Sequence, residues 1–510
     1  MNVWLLQENN ESGPKDTYVN RNEIMQDLNL DIILKFMARN DKFIYKTAHA
    51  VMTNPLKDKA SIIYRQGIVT DCVKYYDNTY KIYEIAAQTV EVIEHFTEGN
   101  KKANSSNLSD AANVLYSLEL LGILVNCLEK LKLHLDAVEK DFHSNGFRAF
   151  YNRMLEDYSY HFVEEIQNSI KNMNFLTEGG EIVFSGTVGQ GLKTKDIIVN
   201  QLVKETFTRR KREGIMSILI HKLFKRNVIM LDDSKLSQDA KDMEAAGLTH
   251  VMKLYQGFIR ELSSFFENLH YQMAFYIGAA NLRIRLNQMN IPTTMPEVQM
   301  KDYDDFKFKD LYDLSLAIYS RSLPVSNDLD TLDKKLFIIT GANQGGKSTY
   351  LRSIGIAQLL MQCGMFVPAR YYCSKLYDGI FSHFTRREDV AMNSGKLDEE
   401  LSRMNRILMS VTPNSLLLMN ESFATTTERE GAKIAQDVVD ALYENGTTII
   451  MVTHLFEFTK TMFARKLEKA MFLSAERLAD GTRTFLIFER EPERTSYGLD
   501  LYDDIIQLKA

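Results

Sequence analysis

The 510-residue chain carries 61 Lys and Arg against 67 Asp and Glu, a net charge of −6, so contact with a polyanion would need a local patch or an encircling geometry. Its 45% hydrophobic and 25% charged residues are ordinary globular material, no run approaches the ~18 apolar residues of a membrane span, and Met1-Asn2-Val3-Trp4-Leu5-Leu6-Gln7-Glu8 lacks the basic and apolar regions of an export signal. A cytoplasmic protein of two or three domains with no membrane partner is expected, and its four cysteines, without C-x-x-C spacing, read as buried thiols rather than a zinc site or disulfide framework.

Residues 1–20 read as an N-terminal tail. From there to about residue 323 glycine and proline are sparse, and the stretches 71–96, 108–141, 149–174 and 249–289 carry helical apolar spacing. In the last of these, positions 251, 254, 255, 258, 259 and 262 fall on one face, a packed stripe rather than a cofactor box. Glycines bracket a short alternating run at Gly179–Gly186, which reads as a hairpin or edge strand between helices. Between Phe207 and Arg226, Arg209, Arg210, Lys211, Arg212, Lys222, Lys225 and Arg226 face a single acid, Glu213. That segment is either a phosphate contact or a solvated helix face.

After Pro324 the texture changes to short apolar runs alternating with helical segments, the pattern of a sheet flanked by helices. Strands are predicted at 336–340, 379–384, 415–419, 447–452, 469–473 and 484–488. The first runs into Gly341-Ala342-Asn343-Gln344-Gly345-Gly346-Lys347-Ser348-Thr349, a G-x-x-x-x-G-K-S loop. Its glycines let successive N–H groups point at phosphate oxygens, the following helix presents its positive end, Lys347 adds a full charge, and Ser348 is placed to hold Mg²⁺. The strand at 415–419 delivers Asn420 and Glu421. Glu421 is the expected general base for an attacking water, and Asn420 stands where such ATPases usually carry Asp, so metal affinity and turnover are expected to be lower. The strand at 447–452 delivers His454, expected to sense the terminal phosphate.

These motifs resemble the MutS family of DNA mismatch-repair ATPases. Thr340–Thr349 is similar to that family's T-G-P-N-M-G-G-K-S-T, Asn420–Gly431 to its D-E-I-G-R-G-T-S-T-x-D-G, Thr453-His454 to its A-T-H, and Ser496-Tyr497-Gly498-Leu499 to its S-Y-G-L. The resemblance implies a mostly α-helical core and lever domain over 21–323, followed by an α/β P-loop NTPase domain of the ABC-like MutS type over 324–510. It implies ATP and Mg²⁺ as cofactors, with Asn343 and Lys347 on phosphates, Ser348 and Asn420 on the metal, Glu421 and His454 in catalysis, and Val325 and Asn327 at the adenine.

The family's serine-bearing signature aligns near Ser394–Glu400, with Leu397 at the serine position. With about 20 residues ahead of the core, no mismatch-recognition domain is expected. The expected partner is therefore double-stranded DNA, branched or non-B in structure rather than mispaired, with a homodimer through the ATPase faces. A slow-hydrolysing, ATP-gated switch acting on a protein partner is the alternative. An SMC- or transporter-type ATPase is disfavoured, since no L-S-G-G-Q signature or sustained heptad arm occurs.

Overall fold

The computed structural model describes residues 3–6, 20–104, 110–177, 181–188, 194–203, 233–299, 306–386, 395–478 and 480–492. The basic run Arg209–Arg212, Ser394 and the Ser496–Leu499 motif lie outside these. The chain divides into two compact units, one comprising 1–3, 81–140 and 149–270, the other 4–80, 141–148 and 271–510. Among the described residues no helix is long and apolar enough to cross a membrane.

The first unit is helical. It takes most of α5 (Tyr76–Asn104), α6 (Asp110–Val138), α7 (Asn145–Asp157) and α8 (Tyr160–Thr177), and much of α9 (Asp233–Gln288). Phe265 of α9 stacks with Phe150 of α7 and meets Tyr158 edge-on. The predicted packed stripe is seen at Tyr255 and Leu262, both buried. Helix was expected continuously over 149–174. Instead Ser159 ends that run, its Oγ accepting from Phe162 N at 3.1 Å and starting α8 afresh as an N-cap. The glycine-bracketed run forms β1 (Glu181–Val188), antiparallel to β2 (Thr194–Val203).

The second unit opens with α1 (Arg21–Asp27), α2 (Leu30–Ala38), α3 (Lys42–Met52) and α4 (Lys59–Lys74). The helix expected over 71–96 is interrupted at Tyr75, which leaves helical geometry (φ −115°, ψ 49°). There the Thr79 hydroxyl takes up the carbonyls of Tyr75 and Tyr76, the local competition that disfavours Thr inside helices.

Two sheets follow. The smaller is built from β3 (Glu297–Gln299), β4 (Phe306–Leu311), β5 (Asn327–Thr331) and β7 (Tyr371–Lys375), in the order β3-β7-β4-β5. The helix α10 (Leu314–Ser320) connects β4 to β5.

The larger sheet contains β6 (Leu336–Thr340), β8 (Gly379–Phe384), β9 (Ser415–Asn420), β10 (Thr448–Val452), β11 (Ala470–Arg477) and β12 (Arg483–Glu489), in the order β12-β11-β6-β10-β9-β8. All its neighbours run parallel except β12, which turns back antiparallel on β11. The strands β6, β8 and β10 are buried at every position, which fits their mostly apolar composition, since a parallel sheet is covered on both faces; β8 also buries Ser382 and His383.

On one face Ile338, Met419 and Met451 pack with Ala435 and Val439 of α13 (Glu428–Glu444), Met404 and Ile407 of α12 (Lys396–Leu408), and Phe458 and Met462 of α14 (Phe456–Ala464). Against the other lies α11 (Lys347–Gln362), buried almost throughout, with Gly355 up against Leu418. A helix buried on all sides is apolar on all sides, and its two inward glutamines are satisfied. Gln358 donates to Lys375 O and Gln362 to Leu56 O, each at 3.0 Å.

Candidate functional site

The loop between β6 and α11 is held open by backbone geometry. Gly341 and Gly346 sit at φ 114° and 89°, where a side chain is strained. A Cβ at Gly345 would stand 2.9 Å from both Ala342 O and the Ala475 side chain. Lys347, the first residue of α11, is buried, and its Nζ donates to Gly341 O (2.7 Å) and Ala342 O (2.9 Å). Burial pulls this ammonium below its ordinary range, while the nearby Glu421 carboxylate pulls the other way. The loop thus closes on its own lysine, whose charge, among the described residues, meets carbonyl dipoles at hydrogen-bonding distance.

A cavity of about 400 Å³ opens at this point. Its lining is polar at Asn343, Gln344, Lys347, Ser348 and Glu421 and apolar at Leu311, Leu316, Pro324, Val325 and Phe485. The Tyr350 hydroxyl, from a residue that lines the cavity, is buried without a hydrogen-bond partner among the described residues. Ser348 Oγ donates to Asn420 Oδ1 at 2.8 Å, joining α11 to the end of β9. Glu421 adopts a left-handed backbone (φ 53°). It is held by its own N–H to Val452 O (2.8 Å) and by Thr385 Oγ1 donating to its carbonyl (2.6 Å).

Of the residues expected from sequence, Asn343, Gln344, Gly345, Gly346, Lys347, Ser348, Thr349, Glu421, Val325 and Asn327 line one cavity. Gly341 and Ala342 lie behind it as the acceptors for Lys347. The Asn327 side chain is engaged by β12, its Oδ1 accepting from Ile487 N (2.7 Å) and its Nδ2 donating to Phe485 O (3.2 Å). His454 follows β10 on the surface and is not among the lining residues.

Two contributors were not foreseen. Phe485 falls inside a predicted strand, but only the β11–β12 pairing brings its ring over Gly346, with Cβ 3.4 Å from where a Gly346 Cβ would stand. Asp313, at a fully buried position, caps α10 through Leu316 N (3.0 Å) and pairs with Arg352 Nε of α11 (2.6 Å). Nothing in the local sequence announces that partner, 39 positions away.

A glycine-rich loop at a helix N-terminus, beside a buried ammonium, has the chemistry to take a chain of phosphates, and the apolar part of the lining that of a nucleoside base. The hydroxyl of Ser348 and the amide oxygen of Asn420 are hard oxygen donors of the kind that suit Mg²⁺.

Comparison with known proteins places both parts of the chain in one family. The family model for the MutS2 N-terminal domain matches residues 57–289 and that for MutS domain V residues 337–505. The DNA mismatch repair protein MutS of Shouchella clausii is 32% identical over 187 residues, 36% of this chain and 21% of that protein. That of Thermus aquaticus is 34% identical over 181 residues, 35% of this chain and 22% of that protein. That of Thermotoga neapolitana is 36% identical over 136 residues, 26% and 17%. The chain belongs to the MutS family. It is a helical region joined to an α/β domain of the MutS domain V type, and it spans about a fifth of the length of the curated relatives it matches.

Proposed function

We propose that this chain binds ATP with Mg²⁺ at the loop from Gly341 to Thr349, hydrolyses it, and uses the nucleotide state to move its helical region on DNA. The observation that carries the reading is the convergence of the buried Lys347 ammonium, the α11 N-terminus and the Glu421 carboxylate on one cavity. The loop amides and Lys347 bind the phosphates, Phe485 and Val325 cover the base, and Glu421 accepts the proton of the attacking water. Ser348 and Asn420 would hold Mg²⁺, which offsets charge on the phosphate oxygens when bound. His454 follows β10, a neighbour of β6, and would report the terminal phosphate. Family membership supports DNA as partner, with Arg209–Arg212 the candidate contact and branched or non-B duplex the preferred form.

Calorimetric titration of ATP with Mg²⁺ into the intact chain, alongside Lys347→Ala, tests the reading. Binding and turnover by the native chain, both lost in the variant, are expected. Equal behaviour of the two chains would end it. For DNA, gel-shift binding to homoduplex, mismatched and branched duplexes across a salt series should show a steep salt dependence that shallows on charge reversal of Arg209–Arg212.

A second reading, a slow ATP-gated switch acting on a protein partner, is favoured by the neutral Ser348–Asn420 pair, since an amide brings no charge to the metal. No DNA binding at low salt would support it.

A further inference from the structure

We propose that Glu400 is a positioning residue for Glu421, through which the placement of α12 governs turnover; this rests on the ATPase reading above. Glu400 is buried on α12, on the face it shares with Arg403, Met404 and Ile407, and a buried carboxylate is costly unless its oxygens are satisfied. They are satisfied by the loop that leaves Glu421. One oxygen accepts from Phe423 N and the other from Thr425 Oγ1, each at 2.7 Å.

The Glu400 backbone is tied to the same place. His383 Nε2 lies 3.1 Å from Glu400 O, and His383 Nδ1 lies 2.7 Å from Ser422 Oγ. A carbonyl only accepts, so the neutral ring carries its proton on Nε2, and the one Ser422 hydroxyl proton lies between two acceptors, His383 Nδ1 and the His383 carbonyl oxygen at 3.0 Å. Ser422 and Phe423, the two residues after Glu421, are therefore fixed from α12 and β8 together.

This grip has a backbone to hold. Glu421 and Phe423 both sit at positive φ, 53° and 66°, a conformation that persists in non-glycine residues only when the surroundings impose it. Upstream, Val452 O and Thr385 Oγ1 fix the Glu421 peptide; downstream, Glu400 is the charged anchor. Flanking the buried face of α12, Leu401 and Leu408 are partly exposed, and Met409 just beyond the helix is 82% exposed. A displacement of α12 drags the Glu400 carboxylate, and with it the loop that aims Glu421.

The test compares ATP turnover, nucleotide affinity, melting temperature and hydrogen exchange over residues 421–426 in the native chain, Glu400→Ala, Glu400→Gln and Thr425→Val. Gln keeps an oxygen for Phe423 N–H, so it should recover most of what Ala loses. Expected are a fall in kcat of roughly tenfold or more for Glu400→Ala, KM and ADP affinity within about twofold of native, and faster exchange at Phe423. Thr425→Val, which removes one hydroxyl, should shift kcat the same way by less and keeps the test decisive if Glu400→Ala fails to fold.

Native kcat in Glu400→Ala, or in Thr425→Val should the former not fold, overturns the inference. So does a loss of kcat in step with nucleotide affinity and melting temperature. If the native chain turns over ATP and Lys347→Ala does not, such a result sinks this inference alone. If the native chain shows no turnover, the ATPase reading falls and this inference with it.

Discussion

Ser348 Oγ and Asn420 Oδ1 meet at 2.8 Å, the hydroxyl donating and the amide accepting. Both atoms are neutral, so the site puts dipoles rather than charge where a divalent cation would sit. Asp at position 420 would keep an oxygen acceptor for Ser348 and add a full negative charge. Asn420→Asp is expected to tighten Mg²⁺ dependence and raise turnover by roughly tenfold, about 1.4 kcal/mol of barrier. Initial rates across a Mg²⁺ titration check this; unchanged rates would show that charge at 420 does not limit the site.

Gly431 lies where a Cβ would stand 2.4 Å from Phe423 O, a backbone atom of the loop beyond Glu421 that has no flexible end to swing away. Gly431→Ala must push α13 off that loop. It is expected to cost about 1–3 kcal/mol of stability and to lower turnover, read by urea denaturation and steady-state rates together. A variant as stable as native would mean that the loop and helix separate freely.

Phe485 lines the cavity beside Gly346, and Asn327 holds its strand through two backbone bonds. Phe485→Ala is expected to weaken ATP binding roughly tenfold, from lost ring burial of about 1–2 kcal/mol, and to leave inorganic pyrophosphate binding unchanged. Asn327→Ala should act in the same direction by freeing the Ile487 N–H and Phe485 C=O. Equal losses for ATP and pyrophosphate would remove the base from this part of the cavity.

Two buried groups give opposite responses to pH. Burial first, then the Arg403 charge, pushes the His383 ring down to about 4. Its stabilising contribution is complete above the unfolded value near 6.5 and is lost as pH falls through 4. Burial raises the Asp27 carboxyl to about 6, against the opposing hydrogen bond from Ser382 and the charges of Arg403 and Arg386. Its contribution is complete below the unfolded value near 3.8 and is lost as pH rises through 6. Asp27→Asn is therefore expected to gain stability over the native chain at pH 8, an advantage that shrinks by about 2 kcal/mol on acidification to pH 4. Urea unfolding at both pH values measures it, and a pH-independent difference would mean that Asp27 titrates normally.

The larger sheet was legible because parallel strands buried on both faces leave mostly apolar runs, and those predicted at 336–340 and 379–384 match β6 and β8 to the residue, the latter despite Ser382 and His383. The smaller sheet was not. Phe306-Lys307-Phe308-Lys309-Asp310-Leu311 and Asn327-Asp328-Leu329-Asp330-Thr331 alternate buried with exposed positions, and their lysines and aspartates read as loop until a partner strand is seen. In the same way, the loop at 341–349 announced itself through glycine and lysine spacing. The ring of Phe485 and the carboxylates of Asp313 and Glu400 gain their places only through pairings 23 to more than a hundred positions away, which no local window contains.

Asp313 grips Arg352 while capping α10, so the helix that begins with Lys347 and the helix that carries Leu316 are clamped through one carboxylate. One jaw of the cavity is thereby rigid. The other is the hairpin of β11 and β12, which reaches across through Phe485 and through Arg483, bonded to Gln344 Oε1 at 2.7 Å. The antiparallel edge of the sheet thus borders the same space as the loop, and holds it through an exposed side-chain bond rather than a buried ion pair.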